Sequence, residues 1–163
     1  MSGQLTYGID PDRAREGSLA DIQNGYIVTG IADDPIEPGR VVIANGDDKT
    51  MRLPAAAIDI TGSIVGGIAM LDASVEPTSG TNPLYPPESA FPVVRKGRIW
   101  CRSEDVIAAP GPVYVRFQNG SGTNPIGRVS GTTHADKGLL AGARWLTKTT
   151  AVNQLALLEI NIP

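Results

Sequence analysis

Three observations predict an all-β fold. Short apolar runs recur along the chain, most of them alternating with polar residues at a period of two. Glycine and proline are plentiful, 19 and 13 of 163 residues, and they punctuate those runs over the whole length. The hydrophobic content of 41% includes only 5% aromatic residues. It therefore rests on Val, Ile, Leu and Ala, enough for a genuine core in one domain of this length.

The elements follow in order. Residues 1–25 show neither a period of two nor one of 3.6. With Gly3, Gly8, Pro11 and Gly17 they read as an extended arm, carrying one helical turn near Ser18 to Ile22. Ser18 stands there as a cap with Asp21 at the third position. The β domain is placed at residues 26–163. Tyr26 to Ala32 and Arg40 to Ala44 read as strands flanking a turn, and Asn45-Gly46 is a hairpin signal. Ser63 to Leu71 reads as a strand whose adjacent Gly66 and Gly67 require a bulge or a close backbone approach. Glu76 to Pro87 is a proline-rich loop.

Two alternating runs then flank Ala109-Pro110-Gly111-Pro112 and read as a hairpin-like pair. In the first, Ile99 and Cys101 share one face while Arg98, Trp100 and Arg102 share the other. In the second, Val113, Val115 and Phe117 oppose Tyr114 and Arg116. Further strands are expected at residues 126–132, 142–148 and 155–162. The string SGTNP occurs at residues 79–83 and 121–125, which reads as recurring turn chemistry.

Charge and residue inventory narrow the function. The net charge is −3 and the pI is near 5.1, with both signs interspersed, which argues against a nucleic-acid partner. A single cysteine and a single histidine make neither an intrachain disulfide nor a Cys/His metal cluster, so no metal and no cofactor is expected. Cys101 and His134 could form a nucleophilic pair, but Cys101 falls on the inward face, where a cysteine behaves as a small hydrophobe. The chain has no glycine-rich nucleotide motif and no nucleophile elbow. Its paired acids at 33–34, 47–48 and 104–105 fall in turns, where solvation and Asx hydrogen bonding account for them. No secretory signal is visible, and the run Ile58 to Leu71 is too short and too polar to span a bilayer. The expectation is a soluble protein made in the cytoplasm, without a membrane partner.

Arg98, Arg102 and Arg116, with Trp100 and Tyr114, leave two readings: a stacking surface for single strands, or a protein interface. The acidic balance favours protein. Two other classes remain. A carbohydrate- or surface-binding β-sandwich module would use Trp100, Tyr114 and Trp145 as stacking platforms. A β-rich hydrolase would use carboxylates such as Asp33, Asp47 or Asp105.

The spelling of the second half carries a resemblance. GRIWC at Gly97 to Cys101, GPVYVR at Gly111 to Arg116, ARWLT at Ala143 to Thr147 and LALLEIN at Leu155 to Asn161 resemble the head-decoration (cement) proteins of tailed bacteriophages. The chain departs from that pattern at Pro110-Gly111-Pro112, where an acidic residue often follows the glycine. The resemblance implies a jelly-roll-like β-sandwich or barrel with an extended N-terminal arm and no enzymatic activity. It implies a virion protein, synthesised in the host bacterial cytoplasm and bound to the outer capsid surface, that stabilises contacts between major capsid subunits. The partners implied are the major capsid protein and further copies of the chain, as a dimer or trimer. Candidate interface residues on this reading are Tyr7, Ile9, Arg13 and Arg15 of the arm, with Arg98, Trp100, Arg102, Tyr114 and Arg116.

Overall fold

Backbone hydrogen bonds tie residues 17 and 18 to Trp100 ahead of the first strand. The structure, a computed structural model, describes residues 15–47, 49–62, 65–72 and 83–163. The helical turn expected near Ser18 does not form. Strand β1 begins at Leu19 and runs to Ala32, starting inside the segment expected as an arm. Just before it, the Gly17 N–H donates to the Trp100 carbonyl at 2.7 Å, and the Trp100 N–H donates to the Ser18 carbonyl at 2.9 Å. These partners satisfy the backbone across strands, and a helical turn would forgo them. Ser18 caps nothing; its Oγ donates to the Arg15 carbonyl at 2.6 Å.

Eight further strands follow among the described residues: β2 (Val41–Ala44), β3 (Thr50–Arg52), β4 (Val65–Ala69), β5 (Ala90–Arg102), β6 (Gly111–Arg116), β7 (Val129–Ser130), β8 (Lys137–Trp145) and β9 (Leu155–Asn161). The hairpin of β2 and β3 turns at Asn45-Gly46 as the sequence predicts, with Gly46 at φ +77°. One short helix, α1 (Ala57–Thr61), has no counterpart in the sequence reading. The strand expected at 126–132 is reduced to β7, and the one expected at 142–148 begins earlier, at Lys137.

The sheet order is β1-β3-β2-β4-β5-β9-β8-β6-β7, and β1 also pairs with β5. That extra pairing closes β1, β3, β2, β4 and β5 into a ring. A second ring closes on the other side, because Ser103, just past β5, bridges in parallel to Val129 of β7. Strand β5 belongs to both. Its first half pairs with β1 and β4 at Val93 and Val94, and its second half pairs with β9 from Lys96↔Asn161 to Arg102↔Leu155. The runs expected as a hairpin are therefore not neighbours, since β9 and β8 stand between β5 and β6. The chain after β5 goes to β7 instead of folding back on itself.

Each ring has a core. Val42, Met51, Ala69, Phe91 and Val93 fill the first, and the Tyr85 ring stacks on Phe91 with centroids 5.2 Å apart. Ile99, Val113, Val115, Trp145 and Leu158 belong to the larger second core. Val41, Ile43, Ile68 and Val94 also join it, from the outer face of the first ring. Strand β2 thus lies between two cores and is buried on both faces, which explains its unbroken apolar spelling. The adjacent glycines of β4 behave as predicted. Gly67 has φ +141°, a side chain there would collide with the Val94 carbonyl oxygen, and the β2–β4 register shifts between Val42 and Ile43.

Candidate interaction surface

The alternation of β5 divides its side chains cleanly. Ile99 and Cys101 are fully buried, while Arg98 and Arg102 project outward with about half of each side chain exposed and Trp100 is half-buried between them. The register with β9 sets Glu159 beside Arg98, Leu157 beside Trp100 and Leu155 beside Arg102. Strand β8 adds Arg144 beside Glu159. Arg144 Nε donates to Glu159 Oε2 at 2.6 Å, and Arg98 Nε lies 3.5 Å from Glu159 Oε1. The hydrogen bond from Arg144, with help from Arg98, holds the Glu159 carboxyl below its ordinary range. Lys96 is exposed and makes no ion pair among the described residues.

The remaining sequence-predicted residues are dispersed. Tyr114 has Leu139 of β8 and Ser130 of β7 as its register partners, so β8 and β9 separate it from Trp100. Arg116 is turned to an internal task. Its Nε and Nη2 donate to the two carboxylate oxygens of Glu104 at 2.6 and 2.9 Å, and its side chain is 12% exposed. Lys137 Nζ completes that network, 2.9 Å from Glu104 and 3.0 Å from Asp105. Arg15 is exposed, and its carbonyl receives the Ser18 N–H at 3.0 Å. Tyr7, Ile9 and Arg13 lie outside the described residues. Lys96, Arg144, Leu157 and Glu159 were not singled out in the sequence. The alternation of β8 and β9 could have turned the last three outward, but only the register places them beside Arg98 and Trp100.

Glu16 anchors the entry of the chain. Its carboxylate lies 3.1 Å from Arg40 Nη1, 3.5 Å from Arg102 Nε and 3.9 Å from Arg128 Nη2. Burial pushes the Glu16 carboxyl up, against the pull of these three guanidinium groups. Gly17 makes the passage possible. It adopts φ +81°, and a Cβ there would stand 2.6 Å from the Pro38 Cβ. Residues 15–18 thus form a strap held by Trp100, Leu71 and the arginines.

The alternative chemistries find little support. Cys101 is fully buried among apolar side chains and burial pushes its thiol up, whereas the His134 side chain is 62% exposed with Nδ1 3.3 Å from Asp136. Trp145, one of three proposed stacking platforms, is buried and donates Nε1–H to the Ser130 carbonyl at 3.2 Å. Asp33 accepts from Asn45 Nδ2 at 2.7 Å, and Asp47 accepts the Lys49 N–H at 2.9 Å, both within turn structure. Asp105 is engaged by Ser130, Thr132 and Lys137. The described residues contain no group of three metal-ligating side chains.

Two closed β rings sharing a strand, with an Arg- and Trp-bearing sheet face outside, have the make-up of a protein that acts by contact. Comparison with known proteins supplies the class. Residues 4–161 match the family described as "Structural cement protein (E217 gp24/Pam3 gp6)", and the chain belongs to that family. It is a structural component of the virion with the role of a capsid cement protein. The fold is shared with a chain of "The capsid of Myoviridae Phage XM1", at a TM-score of 0.71 and 17% identity, over 99% of this chain and 98% of that one. A weaker likeness, with a TM-score of 0.42 and 12% identity, covers 84% of this chain and 94% of the head fiber gp8.5 N base of bacteriophage phi29. A search of curated proteins gives no match.

Proposed function

We propose that the chain binds the outer surface of an icosahedral head and bridges neighbouring subunits of the major capsid protein. The observation that carries this reading is the outward face of β5 and β9. Arg98, Trp100 and Arg102 stand there on a strand whose opposite face is locked into the core, so the contact surface is rigid before it meets a partner. Tyr114 belongs to the rim of this surface, and Arg116 serves it indirectly by fixing Glu104. Tyr7, Ile9 and Arg13 add an N-terminal attachment on a neighbouring subunit, at an ordering cost of about 1–2 kcal/mol per residue, and the exposed Arg15 at the head of the strap joins it. Self-association as a dimer or trimer at the symmetry positions of the shell completes the reading, and catalysis has no part in it. The carbohydrate-binding alternative is weakened by the burial of Trp145 and the distance in sheet order between Trp100 and Tyr114.

The test is the copy number of this chain relative to the major capsid protein in purified particles, by quantitative mass spectrometry. It is paired with antibody labelling of intact heads. A stoichiometric ratio with labelling of unopened particles is expected. A few copies per particle, or labelling only after disruption, would defeat the placement.

A further inference from the structure

The chain carries a net charge of −3, yet its contact face has the opposite sign. Lys96, Arg98 and Arg102 of β5 and Arg144 of β8 surround Trp100 and Leu157, and the outward carboxylate among them on β5, β9 and β8 is Glu159. Glu16 reaches the edge of this face, 3.5 Å from Arg102 Nε, and with it counted cations still outnumber acids four to two. Glu159 is already satisfied, because Arg144 binds it at 2.6 Å. Arg98 reaches the same carboxylate only at 3.5 Å, and Lys96 makes no ion pair among the described residues. Both keep donors for a partner. Arg and Trp dominate the energetic centres of protein interfaces, and excess charge of one sign selects a partner of the other.

We infer that this face receives an acidic patch of the major capsid protein, with Asp or Glu side chains meeting Lys96 and Arg98 around an apolar contact on Trp100 and Leu157. The inference rests on the capsid placement proposed above and adds the chemistry of the partner. A second copy of the chain fits less well. Two copies meeting face to face set cations against cations. A nucleic acid lacks the apolar complement to Leu157 and meets a protein that is acidic elsewhere.

The experiment mixes heads assembled from the major capsid protein alone with wild-type chain, with Lys96→Glu and with Lys96→Glu/Arg98→Ala, and measures bound protein by cosedimentation. Binding of the wild type is expected to fall steeply between about 50 and 300 mM salt, and each variant to bind at least about tenfold more weakly. Lys96→Glu breaks no ion pair among the described residues, so its thermal midpoint should match wild type and separates lost contact from lost fold. Wild-type binding with both variants equal to it would overturn the acidic patch and leave the capsid placement standing. No binding by wild type would overturn both. Variants that bind heads normally but lose self-association in light scattering would assign the face to a second copy. Variants that instead lose affinity for an oligonucleotide would assign it to nucleic acid. Either result overturns the inference.

Discussion

Asp59 and Arg52 face each other through two contacts of 2.9 Å, and Asp59 also accepts the backbone N–H groups of Ala55 at 2.8 Å and Ala56 at 3.1 Å. The Arg52 hydrogen bonds, more than those from the backbone, hold the Asp59 carboxyl down to about 2 from 3.8. A folded pKa below the unfolded one means the contribution is complete above the unfolded value and is lost as pH falls toward 2. It amounts to about 2 kcal/mol. Urea unfolding at a series of acid pH values should show this loss in the wild type and a much smaller one in Asp59→Asn. Parallel profiles for the two proteins would refute the assignment. Glu16 has the opposite sign. Burial raises its folded value above 4.5, so its proton-linked stability is complete below that pH and declines as pH rises through the raised value.

The strap and the strands show which elements were legible in sequence. The positions of β2, β4, β5, β6 and β9, the Asn45-Gly46 hairpin and the close approach at Gly67 were readable because each is decided by a few neighbouring residues. The partners of β5 were not, because alternation says which way a side chain points and nothing about which strand lies beside it. Helix α1 is five residues long, too short for a period to register. Its signal was local: a run of alanines, with Asp59 placed to receive the first N–H groups. The role of Glu16 was hidden because its partners Arg40, Arg102 and Arg128 are scattered along the chain. Of the proposed interface, the face on β5 was legible from alternation, while its extension onto β9 and β8 required the register. Truncations separate strap from arm. Deleting residues 1–14 should leave the urea midpoint within about 0.5 kcal/mol of wild type while weakening attachment to heads. Deleting residues 1–22 removes the backbone hydrogen bonds of Gly17 and Ser18 to Trp100 and Leu71 together with the first residues of β1, at about 3 kcal/mol or more. Equal stability of the two truncations would show that the strap does not hold the fold.

At the scale of the molecule, Cys101 is a built-in reporter. It is the sole cysteine, fully buried on the strand that both rings share, and its thiol is pushed up by burial. Labelling by an aromatic disulfide reagent should be slower than in the unfolded chain by on the order of a thousandfold, and its denaturant dependence should match that of global unfolding. Rapid labelling in native buffer would show that one ring opens while the other stays closed.

The shared strand has a mechanical consequence for the attachment proposed above. A tug on the outward side chains of β5 passes along one continuous backbone flanked by β1 on one side and by β4 and then β9 on the other. Tension along that axis loads its ladder bonds in shear, many at once, instead of peeling them one by one. The load is then shared between the two rings through the strand they have in common, as in a rivet.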